Sequence, residues 1–225
     1  MTQSEVTQEA RIKRALLSWA FPAVAAFGSL HWPFTERMVR ACDVLEVGPH
    51  LIPGAIFLTA MRGTATNLVI PGFWTHVAMY VGNQEITEAV VHPGVRRCTL
   101  PDLLTTKDYA ILLWPRFADR MQMATAAEWA KRQEGKPYDR EMASDLKAFS
   151  CSELGGDAYV YTMGGLTCPF QARDRFGEPI FTPQDFFDAK DKWMMVWASR
   201  SCFDSHCFLH NDIALRLPPG AAASA

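Results

Sequence analysis

Hydrophobic and polar positions change their period twice along this chain. An apolar run over residues 15–30 predicts a helix. A second helical segment is expected over 34–47, with Thr35 as its N-cap and Gly48 as its stop. From residue 53 onward, short apolar runs bounded by turn residues take over. Strands are predicted at 55–59, 74–81 and 85–91, with Gly82-Asn83-Gln84 as the turn between the last two. Pro93-Gly94 turns the chain into an extended piece at 95–97, a short helix is expected at 102–106, and 109–113 reads as a buried strand closed by Pro115. Helical spacing then returns. Met121, Ala124, Ala127 and Ala130 recur along a helix over 118–133 that Gly135 ends, and a further helix begins at Cys151 and runs to about Thr162. Its Gly155, Gly156 and Ala158 are small enough for close packing. Residues 163–183 read as loop. A last helix over 184–199 would carry Trp193 and Trp197 on one face, and the tail from Pro218 reads as disordered.

Strands in mid-chain joined as hairpins, with helices before and after, predict an α+β fold: an antiparallel sheet packed against helices, with extra N- and C-terminal helices. The expected division is an N-terminal helical extension over 1–50, a core over 51–165, and a C-terminal extension over 166–225 packed on that core. At 225 residues, 49% hydrophobic and 20% charged, the chain is long and apolar enough for one substantial core. A net charge of −2 argues against nucleic acid as a partner. Arg11, Lys13 and Arg14 before the first apolar run, with Ala23-Val24-Ala25 inside it, resemble a cleaved leader. Glu5, Glu9, Ser18 and Pro22 count against one. The expectation is a buried or amphipathic helix, whose apolar face offers contact with a membrane surface. A cytoplasmic location is favoured over a secreted or membrane-associated one. The six cysteines are scattered without CxxC spacing, which argues against a disulfide framework. Cys202 and Cys207, near His206 and His210, match no strong zinc pattern, and no metal or cofactor is expected.

The chemistry concentrates on Cys151. A cysteine at the first turn of a helix feels the positive end of the helix dipole, which favours thiolate over thiol. Upstream, the strand Thr75-His76-Val77-Ala78-Met79-Tyr80-Val81 carries a histidine, and the return strand carries Glu88. With a three-residue turn at 82–84, Ala78 lies opposite Glu88, so Glu88 is a diagonal neighbour of His76 within reach of its ring. A thiol, an imidazole and a carboxylate are the parts of an activated nucleophile, its base and the group that orients the base. Each also has a plain reading, as a satisfied strand histidine and a small buried hydrophobe. His92 and Cys98 compete for the two roles, though His92 sits in a turn. Gly135-Lys136-Pro137-Tyr138-Asp139 offers a hydroxyl that could serve as an oxyanion donor beside the cysteine, and Phe73 and Trp74 are candidates for lining a groove.

The order and wording of these pieces resemble the YiiX-like permuted papain-fold cysteine hydrolases, which are related to NlpC-type amidopeptidases and lecithin:retinol acyltransferase-like proteins. The matching pieces are Pro53-Gly54-Ala55-Ile56-Phe57-Leu58-Thr59, Ile70-Pro71-Gly72-Phe73-Trp74-Thr75-His76-Val77-Ala78-Met79-Tyr80-Val81-Gly82, Ile86-Thr87-Glu88-Ala89-Val90, Gly94-Val95, Gly135-Lys136-Pro137-Tyr138-Asp139 and Cys151-Ser152-Glu153-Leu154. They cover roughly 53–160. Ala55 departs from the pattern, standing where the family often has an acidic residue. The resemblance implies a permuted papain-like (NlpC-type) fold, with Cys151 as nucleophile, His76 as general base, Glu88 as its orienting group and Tyr138 near the oxyanion or substrate. It also implies an amide-cleaving hydrolase acting through an acyl-thioester. The substrate would be a peptide, a peptidoglycan-type peptide or an acyl lipid, the last pointing to acyl transfer or thioester cleavage instead. A binding domain that uses the same groove without catalysis is the reading from a different class.

Overall fold

The computed structural model describes residues 38–62, 72–140, 146–164 and 181–204, the backbone of 173–175 and 178–180, and positions 207, 209, 212, 213, 216 and 217. The predicted helix at 15–30, the proposed cap Thr35 and the tail from Pro218 lie outside these residues. At the centre is a six-stranded sheet in the order β4-β3-β2-β1-β5-β8. Its strands are β1 (Ile56–Ala60), β2 (His76–Gly82), β3 (Glu85–Val90), β4 (Gly94–Thr99), β5 (Tyr109–Pro115) and β8 (Trp193–Ala198), and every pairing between neighbours is antiparallel. A separate two-stranded hairpin joins β6 (Arg173–Arg175) to β7 (Glu178–Ile180) within the stretch expected to be loop. The helices are α1 (Ala41–Glu46), α2 (Leu100–Leu104), α3 (Arg120–Lys131), α4 (Cys151–Thr162) and α5 (Pro183–Asp188). The α+β expectation holds. No helix among the described residues is long and apolar enough to cross a membrane.

The β2–β3 hairpin sets the register on which the site depends. Asn83 and Gln84 both have positive φ, 55° and 61°, as a two-residue type I′ turn requires. The turn is therefore one residue shorter than expected. A bulge between Tyr80 and Gly82 restores the count, so Ala78 pairs with Glu88 as the three-residue turn predicts. Across the next turn Val90 pairs with Gly94, which sets Glu88 directly opposite Arg96.

α3 and α4 pack on each other and on β2. Both helices open with a reciprocal cap: Asp119 with Gln122 for α3, and Ser150 with Glu153 for α4. α4 approaches β2 closely at Gly155, where a Cβ would stand 2.9 Å from Val77 Cγ1. The Tyr159 hydroxyl donates to the Gly54 carbonyl, tying the same helix to the entry of β1. Gly54 is required on two counts. Its φ of 94° is one that side chains resist, and a Cβ there would meet the Met123 carbonyl oxygen at 2.4 Å.

Three expectations are corrected. Residues 184–199 form no continuous helix: α5 ends at Asp188, and Trp193-Met194-Met195-Val196-Trp197-Ala198 is the edge strand β8, paired with β5. Nor do the two indoles share a face. A register shift between Leu112 and Leu113 places Trp197 opposite Leu112 and Met195 opposite Leu113, so the strand's alternation is reset between the two rings. Trp193 packs on Tyr159 of α4 at 5.6 Å, while Trp197 meets Phe57 at 6.4 Å. Gly48 does not simply stop a helix either; it opens a 3₁₀ turn, Gly48–His50, after α1. Because β8 completes the sheet, residue 165 is no boundary of it.

Gly54→Ala should lower stability by roughly 2–4 kcal/mol through strain at positive φ and the clash with the Met123 carbonyl. The check is a urea titration, with the midpoint falling at an unchanged slope.

Candidate active site

His76 is the first residue of β2, paired with Thr59 of β1. Glu88 lies in the middle of β3, diagonal to it. The His76 ring nitrogen Nε2 stands 2.7 Å from Glu88 Oε2, and the Glu88 side chain is only 2% exposed. The other ring nitrogen, Nδ1, is left for Cys151, whose thiol is hydrogen-bonded to the imidazole. Cys151 is the first residue of α4. The backbone N–H groups of Val77 and Ser152 also donate to its sulfur. At that position its own N–H has no intrahelical acceptor, because a helix leaves its first amides unpaired. The structure thus brings Cys151, His76 and Glu88 together from one helix and two adjacent strands.

The electrostatics favour charge separation. Burial alone would raise the Cys151 thiol, but the hydrogen bond and charge of His76 and the two backbone N–H groups bring it below the ordinary thiol value. Burial would likewise lower His76. Its hydrogen bonds to Cys151 and Glu88, with their charges, overcome that and raise it from 6.5 to about 9. Burial pushes Glu88 up, yet the His76 and Arg96 hydrogen bonds and the imidazolium charge hold it well below the usual carboxylate range. Cys98 is the contrasting case. Burial and the adjacent Glu88 carboxylate push its thiol up to about 12, the opposite direction from Cys151. His92, the competing histidine, is exposed in the turn before β4.

Tyr138 is held next to this group by backbone. Residue 138 forms a parallel bridge with Phe149, Asp139 N–H donates to the Phe149 carbonyl at 3.1 Å, and Phe149 N–H donates to the Pro137 carbonyl at 3.1 Å. The segment is anchored on β4 through Val95 N–H to the Lys136 carbonyl at 2.8 Å. A Cβ at Gly94 would lie 2.2 Å from that carbonyl oxygen, so only glycine allows the approach. Burial and then the negative charges of Cys151, Glu153 and Asp139 raise the Tyr138 hydroxyl well above its ordinary value, keeping it a neutral donor.

Trp74 corrects an expectation. It is fully buried, edge-on to Phe73 at 5.0 Å and tilted on Phe187 at 5.7 Å. Its ring belongs to the core and does not line a groove. One contributor went unread in the sequence. Arg96 donates from Nε and Nη2 to Glu88 Oε1 at 2.9 and 2.7 Å. Carrying the hairpin count across Pro93-Gly94 would have found it.

A family model described as permuted papain-like amidase enzyme, YaeF/YiiX, C92 family, matches residues 50–199, two-thirds of the chain. The chain belongs to this family. The match extends through β8, well beyond the stretch in which the resemblance was legible. Membership makes the protein an enzyme of the papain-like amidase class. Among solved structures it is similar to the metalloprotein YiiX from Escherichia coli O157:H7, at 21% identity and a TM-score of 0.51, covering 64% of this chain and 96% of that one. At that identity the likeness speaks for the fold. No curated protein matches. Although that relative is described as a metalloprotein, the described residues here gather no group of three or more His, Cys, Asp or Glu side chains for a metal. His206 and His210 lie outside them.

The His76 imidazole should titrate near pH 9 by NMR, and Glu88→Gln should move its midpoint down by about a unit or more. Because the folded value lies above the unfolded one near 6.5, the stabilisation from this pairing is present in full below about 6.5. It is lost as the pH rises through about 9.

Proposed function

We propose that this enzyme cleaves an amide bond of peptide type through an acyl-thioester on Cys151. The observation that carries the reading is the coupled hydrogen bonding of Cys151, His76 and Glu88, with the thiol lowered and the imidazole raised. The Cys151 thiolate attacks the carbonyl carbon, and the carbonyl π pair moves onto oxygen. Backbone N–H at the start of α4 is suited to receive that oxyanion, with the neutral Tyr138 hydroxyl as a second donor. As the intermediate collapses the C–N bond breaks, and the His76 imidazolium gives its proton to the departing amine. Water then attacks the thioester carbonyl, losing its proton to His76. The C–S bond breaks, the acid product leaves, and the thiolate–imidazolium pair is restored. Glu88 acts through His76, holding Nε2 so that Nδ1 faces the sulfur and opposing its charge when protonated.

Iodoacetamide should label Cys151 at neutral pH, and the Cys151→Ala protein should fold, lack that label and lose all amidase turnover. A Cys98→Ala protein should still take the label. Mass spectrometry of the modified peptide reads the result. A label that persists in Cys151→Ala and disappears in Cys98→Ala would overturn the assignment.

A further inference from the structure

Glu88 is occupied at both oxygens, and the two sides differ. Oε2 faces His76 at 2.7 Å, while Oε1 takes two donors from one planar guanidinium, Arg96 Nε at 2.9 Å and Nη2 at 2.7 Å. The Cys98 thiol, protonated, adds a weaker contact to the same oxygen at 3.6 Å. Arg96 reaches Glu88 because the β3–β4 register sets the two directly opposite. The carboxylate is 2% exposed, whereas the Arg96 side chain is 46% exposed, so the guanidinium closes the outer end of a line of groups that otherwise runs inward.

We propose that Arg96 is a positioning residue of the active site, fixing the Glu88 carboxylate by a two-pronged contact and balancing its charge so that Cys151 can ionise. The inference rests on the assignment of Cys151 as nucleophile. With the thiol ionised, the groups in order are thiolate, imidazolium, carboxylate and guanidinium, alternating in sign and summing to zero. Without Arg96 the same buried line carries a net negative charge whenever the thiolate forms, which disfavours that state. Geometry points the same way. A carboxylate held at one oxygen alone can rotate about its last bond, and its hold on the His76 tautomer goes with it. A fork that grips Oε1 in a plane leaves Oε2 aimed at the ring. Other charges face this line. Lys107, following α2, adds positive charge near Glu88, Asp102 of α2 lies near Arg96, and Glu153 and Asp139 act on Tyr138 beside the sulfur. Among the described residues, Arg96 is the cation bonded to the carboxylate itself besides His76.

The test is the pH dependence of Cys151 alkylation by iodoacetamide, read by mass spectrometry of the Cys151 peptide in the full chain. In the native protein the rate should reach its thiolate plateau below the range of an ordinary thiol. In Arg96→Gln the half-point of the rise should move up by about half a unit to one unit, since a positive charge has been removed from the line. Arg96→Lys keeps the charge and loses the fork, so it should recover most of that shift. It also provides a reading if the glutamine variant folds poorly. An Arg96→Gln profile that overlays the native one, with the native thiol still ionising below the ordinary thiol range, overturns the role of Arg96 and leaves Cys151 as nucleophile. A native Cys151 that stays unreactive up to about pH 8.5 overturns the nucleophile assignment, and the proposal with it.

Discussion

The site turns on a carboxylate that water does not reach. Glu88 is buried in the middle of an antiparallel sheet, where an isolated negative charge would be several kcal/mol too costly to keep. It remains ionised because two neighbouring strands deliver a partner to each oxygen, His76 from β2 and Arg96 from β4. Much else follows from this constraint. The carboxylate raises the imidazole, the imidazolium lowers the thiol, and the thiol is the one group of the line contributed by a helix. A one-residue slip of β3 would turn Glu88 to the opposite face and undo all of these contacts together.

Placing the thiol is a packing problem. α4 must come close enough to β2 for the Cys151 sulfur to reach both the His76 ring and the Val77 amide. Gly155, one turn further along, removes the side chain that would hold the two apart. The Ser150–Glu153 cap occupies two of the backbone donors at the helix start, Ser150 N–H and Glu153 N–H. The Cys151 amide is thereby left beside the sulfur without an intrahelical acceptor, where a developing oxyanion would need it. The same two thiols, Cys98 and Cys151, show how environment decides reactivity. One faces a carboxylate and is held protonated, and the other faces an imidazole and is driven toward ionisation.

Much of this was legible in the chain itself. The strand alternation, the hairpin turn and the cysteine ahead of small helical residues pointed to Cys151, His76 and Glu88, and the pairing of Ala78 with Glu88 came out as expected. It did so by compensation, with a shorter turn offset by a bulge. The later chain was less readable. Trp193-Met194-Met195-Val196-Trp197-Ala198 is apolar throughout, so it has neither helical nor strand alternation, and the four-residue spacing of its tryptophans suits either element. Only pairing with β5 shows that it is a strand, and only the bulge sends its rings to different partners. Trp74 misled for a related reason: an indole beside a reactive histidine could line a groove or fill the core, and burial decided for the core.

Sequence alone determined the parts of the site and their local settings, because alternation, caps and turns are written in neighbouring residues. It settled which strand carries the histidine, which carries the carboxylate, and that the cysteine opens a helix. The tertiary structure decided which of these parts touch and what each touch does to its charge. The line from Cys151 through His76 and Glu88 to Arg96 crosses one helix and three strands, and its pKa shifts arise from burial and from partners far apart in the chain. Neither register across two successive turns nor removal from water is a local property, so Arg96 and the imidazole's hold on the thiol emerged only when the sheet was assembled.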